Sequence, residues 1–419
     1  MAGVIEKVSL QFDREPLIQP FGFKGGYLDE LWQSFCEIHV SDGKSGRGMG
    51  VQSVLWADAD TFVEHSQAGA NAMMLAVTEK ALGLLKGKKF TDPIALMHTI
   101  FPECHAYASM LTGNRRLPAT FVLNALVPVD FALWQIAAAE GEMKDFSALT
   151  ERFCPAMDQR HEKLGAIPLI SYNTQADETE ALLREGIFLL KIKIGANPGG
   201  RNDLEEMCRW DIERIAQIHK IAACYETPHT DCGHPVYYLD ANGRYDSRER
   251  LEKFLDGAAA CGALERIVLL EEPFPMDSGI CVEGFPVRIA GDESIHSAED
   301  AVRCIEELGY GAVALKPIAK TLSVSLEIYK QAAKRGIPCF CADLTVPPVM
   351  LEWNMQVAAR IGIIPGLKTG VVESNGAQNY RNWKELLHRS GHPDAGWLHP
   401  QNGVFDLTDF YGQCDVLRG

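Results

Sequence analysis

Five short apolar runs in this chain each end in a charged residue, and those endings carry its chemistry. The first is Leu189-Leu190-Lys191-Ile192-Lys193-Ile194-Gly195. In a β-strand side chains alternate faces, so Leu189, Lys191 and Lys193 share one side while Phe188, Leu190, Ile192 and Ile194 share the other. Two ammonium groups on one face of an apolar strand are costly unless something pairs with them. The next runs offer partners: one ends in Asp240 and Asn242, one in Glu271-Glu272-Pro273, one in Gly291-Asp292-Glu293-Ser294. A further run, with small Ala312 and Ala314 on the face that leads to it, ends in Lys316. Any one ending is weak evidence, because a strand-terminal Asp usually caps a turn or helix. Five in order and in register form a constellation. Three carboxylates from adjacent strands make an oxygen-only cage suited to a hard divalent cation such as Mg²⁺. Without His or Cys among them, zinc is disfavoured.

These endings meet only if the runs lie side by side in parallel. The spacing predicts strands over 167–172, 187–194, 236–241, 266–271, 287–292, 311–316, 337–341 and 366–372, separated by helix-like segments. Eight strands alternating with helices fit a (β/α)8 barrel, in which functional groups sit at the C-terminal strand ends. The first third reads differently: a hairpin over 30–56, behind a Gly- and aromatic-rich loop at 20–27, then Ala/Leu/Met-rich helices to about 142. The resulting expectation is an α/β chain: an α+β capping domain over 1–130, a modified (β/α)8 TIM barrel over 131–380, and a tail over 381–419 that packs back on the cap.

Composition excludes some classes. The net charge of −16, with 56 acidic against 40 basic residues, disfavours nucleic acid or an anionic membrane as partner. No apolar run suggests a membrane span, and the N-terminus lacks the layout of a signal peptide. The twelve cysteines are scattered, and the close pair Cys339-x-Cys341 has neither zinc nor redox spacing. A reduced cytoplasmic protein, expected to form a homo-oligomer, is the simplest account.

The series Lys191-x-Lys193, Asp240-x-Asn242, Glu271-Glu272-Pro273, Gly291-Asp292-Glu293-Ser294 and Lys316-Pro317 resembles the enolase superfamily, and within it the muconate-lactonizing-enzyme subgroup of the mandelate racemase/muconate lactonizing enzyme type. Asp130-Phe131-Ala132-Leu133-Trp134 resembles the helix that leads into the barrel there. The resemblance implies Asp240, Glu271 and Asp292 as ligands of a Mg²⁺ cofactor and Lys193 and Lys316 as acid and base on opposite faces of the substrate. It also implies Lys191 at the substrate carboxylate, Glu373 at the enolate oxygen and Asn242 behind the metal site. The implied reaction removes a proton α to a carboxylate of a small-molecule substrate.

Racemization or epimerization is the leading outcome. Cycloisomerization and dehydration pass through the same enolate and stay open. A metal-retaining binding protein ranks lower, because both lysines are present. The eighth strand ends Glu373-Ser374-Asn375, without the Asp-x-Asp that dipeptide epimerases use to hold an amine. Asp343 on the seventh is either a pocket residue or a helix cap. Phe21, Phe23, Tyr27 and Trp56 are expected to form a partly apolar lid. The stretch 225–233 reads as a surface loop.

Overall fold

Backbone alternation organises the N-terminal module. The computed structural model describes residues 3–23 and 26–418. β1 (Ile5–Phe23), β2 (Gly26–Val40) and β3 (Ser45–Gln52) form an antiparallel sheet in that order. The stretch expected as a loop at 20–27 is the end of a long hairpin, in which Phe21 pairs with Leu28 and Phe23 with Gly26. Trp56, expected on a returning strand, sits instead in a helical turn, Val54–Ala57.

Three helices follow: α1 (Gln67–Leu85) and α3 (Ala119–Glu140) pack on this sheet, and α2 (Pro93–Thr112) packs on those two helices. Gly46, Gly48 and Gly50 alternate along β3, leaving one bare face on which α3 lies. A Cβ on Gly48 would stand 1.7 Å from the Pro128 carbonyl oxygen, and one on Gly46 2.0 Å from that of Ala132. Contrary to the composition reading, α3 is long and apolar enough to cross a membrane, but its residues 120–138 are buried in this core. Asp130, fully buried within α3, accepts hydrogen bonds from the backbone N–H (3.1 Å) and hydroxyl of Ser323. It thereby ties the cap's central helix to the start of a barrel helix, and burial pushes its carboxyl up to about 6.

The barrel begins earlier than the spacing predicts. Its first strand runs from Lys163 and is split into β4 (Lys163–Ile167) and β5 (Leu169–Ile170). Pro168 has no N–H to give a ladder and separates them. Then follow β6 (Leu189–Lys193), β7 (Val236–Asp240), β8 (Ile267–Glu271), β9 (Ile289–Gly291), β10 (Ala312–Leu315), β11 (Cys339–Cys341) and β12 (Gly370–Glu373). All pair in parallel with their sequence neighbours, β12 closes on β4, and β5 pairs with β6. Helices α4 (Ala176–Arg184), α5 (Leu204–Ala222), α6 (Arg248–Ala260), α7 (Ala298–Glu306), α8 (Leu322–Lys334) and α9 (Pro348–Ala358) connect the strands.

Inside the barrel, Leu189, Tyr238, Leu269, Ala290, Ala312, Ala314, Phe340 and Val371 form one buried cluster. Two residues beyond the last of these on every strand but β11, where Ala342 follows Phe340, lie Lys191, Asp240, Glu271, Asp292, Lys316 and Glu373, so the pleat aims them up the same axis. The tail adds β13 (Val404–Asp406), antiparallel to β4. It also reaches the cap, where Arg389 donates to Glu15 at 2.8 Å and Gln135 to the carbonyl of Val416 at 3.0 Å. The stretch 225–233 bridges to the segment before β12, with Thr230 opposite Leu367.

Candidate active site

At the C-terminal ends of the barrel strands the structure brings Lys191, Lys193, Asp240, Asn242, Lys316, Asp343, Glu373 and Asn375 around one narrow cavity of about 70 Å³. Burial concentrates the charges there, so pairing governs their geometry. Lys191 Nζ donates to Glu373 Oε2 at 3.0 Å and lies 3.0 Å from Asp240 Oδ2 and 3.3 Å from Glu271 Oε2. It also sits 4.6 Å above the Tyr238 ring. Burial works against its charge, but Asp240, Glu271 and Glu373 outweigh burial and hold the ammonium well above the ordinary lysine range. Lys193 Nζ donates to Asp240 Oδ2 at 2.7 Å and to Asn242 Oδ1 at 2.6 Å. Across the barrel, Lys316 Nζ pairs with Asp292 Oδ2 and lies 4.5 Å above the Trp56 ring.

The loops that carry these groups are held in uncommon backbone conformations. Asn242 (φ 45°) and Glu272 (φ 42°) both occupy the left-handed region, sparsely used by non-glycine residues. Glu272 holds its turn by accepting from the backbone N–H groups of Asp292 (2.8 Å) and Ser294 (3.2 Å) and from the Ser294 hydroxyl. Asn242 donates to Glu293 Oε1 at 3.2 Å and so links the Lys193 side of the site to β9. Asp343 faces the cavity and does not cap the next helix, which starts after Pro347 without a side-chain cap: it accepts from Val346 N (3.3 Å) and Asn375 N (2.8 Å), and burial with Glu373 nearby pushes it up to about 7.

The donor set fits a hard cation. Both Glu271 carboxylate oxygens are buried without a hydrogen-bond partner, and burial pushes this group up to about 8. Such a carboxylate calls for more positive charge than Lys191 supplies at 3.3 Å. Ligand atoms of Glu271, Asp292 and Glu293 lie within 4.8 Å of one another. Asp240, expected beside Glu271 and Asp292, has its Oδ2 drawn to Lys191 and Lys193.

Of the expected lid, Trp56 lines the cavity, whereas Tyr27 is 70% exposed and borders an outer cleft with Tyr172, Trp210 and Arg244. The side chains of Phe21 and Phe23 lie outside the described residues. The apolar wall consists instead of Leu17, Leu28, Leu31, Leu55, Leu169 and Leu344. Sequence reasoning missed these leucines because each belongs equally to an ordinary core pattern. It also missed Lys320, which donates to Asp292 Oδ1 at 2.8 Å, to the Asp292 carbonyl at 2.6 Å and to the Ile295 carbonyl at 3.0 Å. Its only sequence signal is the spacing Lys316–Lys320, one helical turn after a strand end.

Residues 174–390 match the family model described as enolase C-terminal domain-like. A hydrophobic dipeptide epimerase of Citrifermentans bemidjiense is 27% identical over 365 residues, covering 84% of this chain and 83% of that protein. An L-Ala-D/L-amino acid epimerase of Populus trichocarpa is 23% identical, covering 83% and 72%. Among solved structures, the dipeptide epimerase from Cytophaga hutchinsonii complexed with Mg and D-Ala-L-Val superposes with a TM-score of 0.68 at 16% identity, covering 96% and 92%.

Proposed function

Because the chain belongs to the enolase C-terminal domain-like family, we propose that it is a Mg²⁺-dependent epimerase of the carbon α to a carboxylate, acting on dipeptides or similar amino-acid derivatives with apolar side chains. One observation carries the reading: Lys193 at the end of the second barrel strand and Lys316 just beyond the sixth, strands that lie across the barrel from each other, border the same cavity. That is the arrangement two-base inversion of a carbon requires. The leucine wall supports an apolar substrate side chain.

Asp240, Glu271 and Asp292, with Glu293 adjacent, would hold the cation. When bound, Mg²⁺ supplies positive charge against the substrate carboxylate as negative charge builds there. Lys193 takes the α-proton on one face and Lys316 returns one on the other. Lys191, kept cationic by its three carboxylates, faces the developing enolate oxygen, and Glu373 acts on that oxygen by holding Lys191 Nζ. Asn242 orients Lys193, while the cap leucines and Trp56 exclude water. The division into a cap over 1–130, a barrel over 131–380 and a tail over 381–419 accompanies this assignment of roles.

The test is a panel of L,L-dipeptides incubated with Mg²⁺ in D₂O and read by mass spectrometry and chiral separation. Dipeptides with apolar residues are expected to epimerize with one deuterium incorporated. Lys193→Ala and Lys316→Ala should each lower epimerization by roughly 10³-fold, each retaining exchange of one epimer only. Both variants exchanging both epimers would remove the two-base assignment, and elimination or cyclization products would replace epimerization by another outcome of the same enolate.

A further inference from the structure

The two carboxylate oxygens of Asp292 are divided between two lysines of different kinds. Oδ2 pairs with Lys316, which borders the cavity, while Oδ1 accepts from Lys320 at 2.8 Å. Lys320 lies in the buried helical turn Pro317–Lys320 and is 1% exposed. All three of its N–H donors are committed, the other two to the carbonyls of Asp292 and Ile295. The next residue, Thr321, adopts φ 73° and accepts from Val324 N at 3.2 Å, so the turn is anchored on its far side as well. Lys320 is therefore a built-in part of the β9 strand end, whereas Lys316 makes one described ion pair and has the cavity open beside it. Next to Asp292, both oxygens of Glu271 have no hydrogen-bond partner.

We propose that Lys320 is a positioning residue that commits Asp292 Oδ1, leaving Oδ2 as the single oxygen for which a divalent cation and Lys316 compete, so that filling the cation site frees Lys316 for the substrate. The inference rests on the reading of this centre as a divalent-cation site and adds an order of events to it. Lys316 and the cation exclude one another at Oδ2, so the acid/base group is free only in a loaded site. Lys320 makes the exchange possible: with Oδ1 held, Asp292 cannot rotate to satisfy the cation and Lys316 at once.

Calorimetric titration with MgCl₂, without substrate, separates this arrangement from simple charge repulsion. Lys316→Met is expected to bind Mg²⁺ at least threefold more tightly than wild type, because a competitor has gone. Lys320→Met is expected to bind at least tenfold more weakly, because Asp292 loses its anchor. If the lysines act only by repelling the cation, both variants bind more tightly; if neither touches the site, both bind like wild type; either result overturns the proposal. Absence of Mg²⁺ binding by the wild type at millimolar concentration would instead overturn the cation reading itself, and this inference with it. Should Lys320→Met fail to fold by circular dichroism, ¹⁵N-lysine NMR of the wild type decides. The ammonium signal absent from Lys316→Met should move as Mg²⁺ is added, and a fixed Lys316 signal overturns the exchange.

Discussion

Glu271 is the residue on which the chemistry of the centre turns, since both its oxygens are buried without a hydrogen bond. A ligand that binds only the folded state stabilises it by mass action, by about 2.7 kcal/mol at a hundredfold excess over Kd. Mg²⁺ is therefore expected to raise the melting temperature of the wild type, and Glu271→Gln should abolish that rise. An equal rise in both proteins, measured by calorimetric melting, would place the cation elsewhere. Residue scale is also where the chain was most legible in sequence. Lys191, Lys193, Asp240 and Lys316 were readable because a strand-end residue of the wrong polarity stands out against a period of two, whereas Glu373 came only with the family resemblance. Lys320 and Asn375 were not readable: each follows its strand end, in a loop whose direction only the folded backbone sets. Glu293 was visible but ambiguous, since one residue's shift along a loop decides whether it faces the metal or the rim.

At the scale of elements, two contacts position the site without touching it. β3 and α3 approach so closely that a methyl on Gly48 would overlap the Pro128 carbonyl. Gly48→Ala is expected to cost at least about 3 kcal/mol, the upper end of ordinary overpacking, read as a lower urea midpoint. A loss below 1 kcal/mol would mean the cap sheet slides freely on α3. The second contact is the buried Asp211 of α5, which accepts from Gly195 N and the Tyr245 hydroxyl, both at 2.8 Å, and holds the loop after β6. Burial pushes its carboxyl from 3.8 to about 7. Between those values the folded state keeps a proton that the unfolded state has lost, so stability falls as pH rises, with a slope of about 1.4 kcal/mol per pH unit from this group. Asp211→Asn should flatten the fall between pH 4.5 and 7, and an unchanged slope in urea titrations would assign it to other groups. The barrel strands were legible because their period changes to alternating β and α. β1 was not, because Pro16, Pro20 and four glycines in 22–43 read as turn chemistry, and pairing across the whole hairpin overrides local propensity.

For the whole molecule, the net charge of −16 surrounds a site built to receive an anion. Long-range repulsion falls with ionic strength, over a screening length of about 10 Å at 0.1 M. An anionic N-acyl amino acid should therefore show kcat/KM rising with salt, whereas a zwitterionic dipeptide should not; identical salt profiles would mean that the local lysines dominate capture. The split first strand sets a different whole-molecule constraint. β4 pairs with β12 and β13, the barrel strands made last, and only β5 pairs with its immediate successor, β6. During synthesis the chain can therefore stack β5 through β11 as they leave the ribosome, yet the seam beside Lys163–Ile167 stays open until residues 404–406 have emerged. The lysines and carboxylates are then side by side on strands that pair with one another, on a sheet still unsealed at that seam. A chain stopped before β13 would carry every group of the site on strands already able to pair, beside a seam still open along one edge of β4.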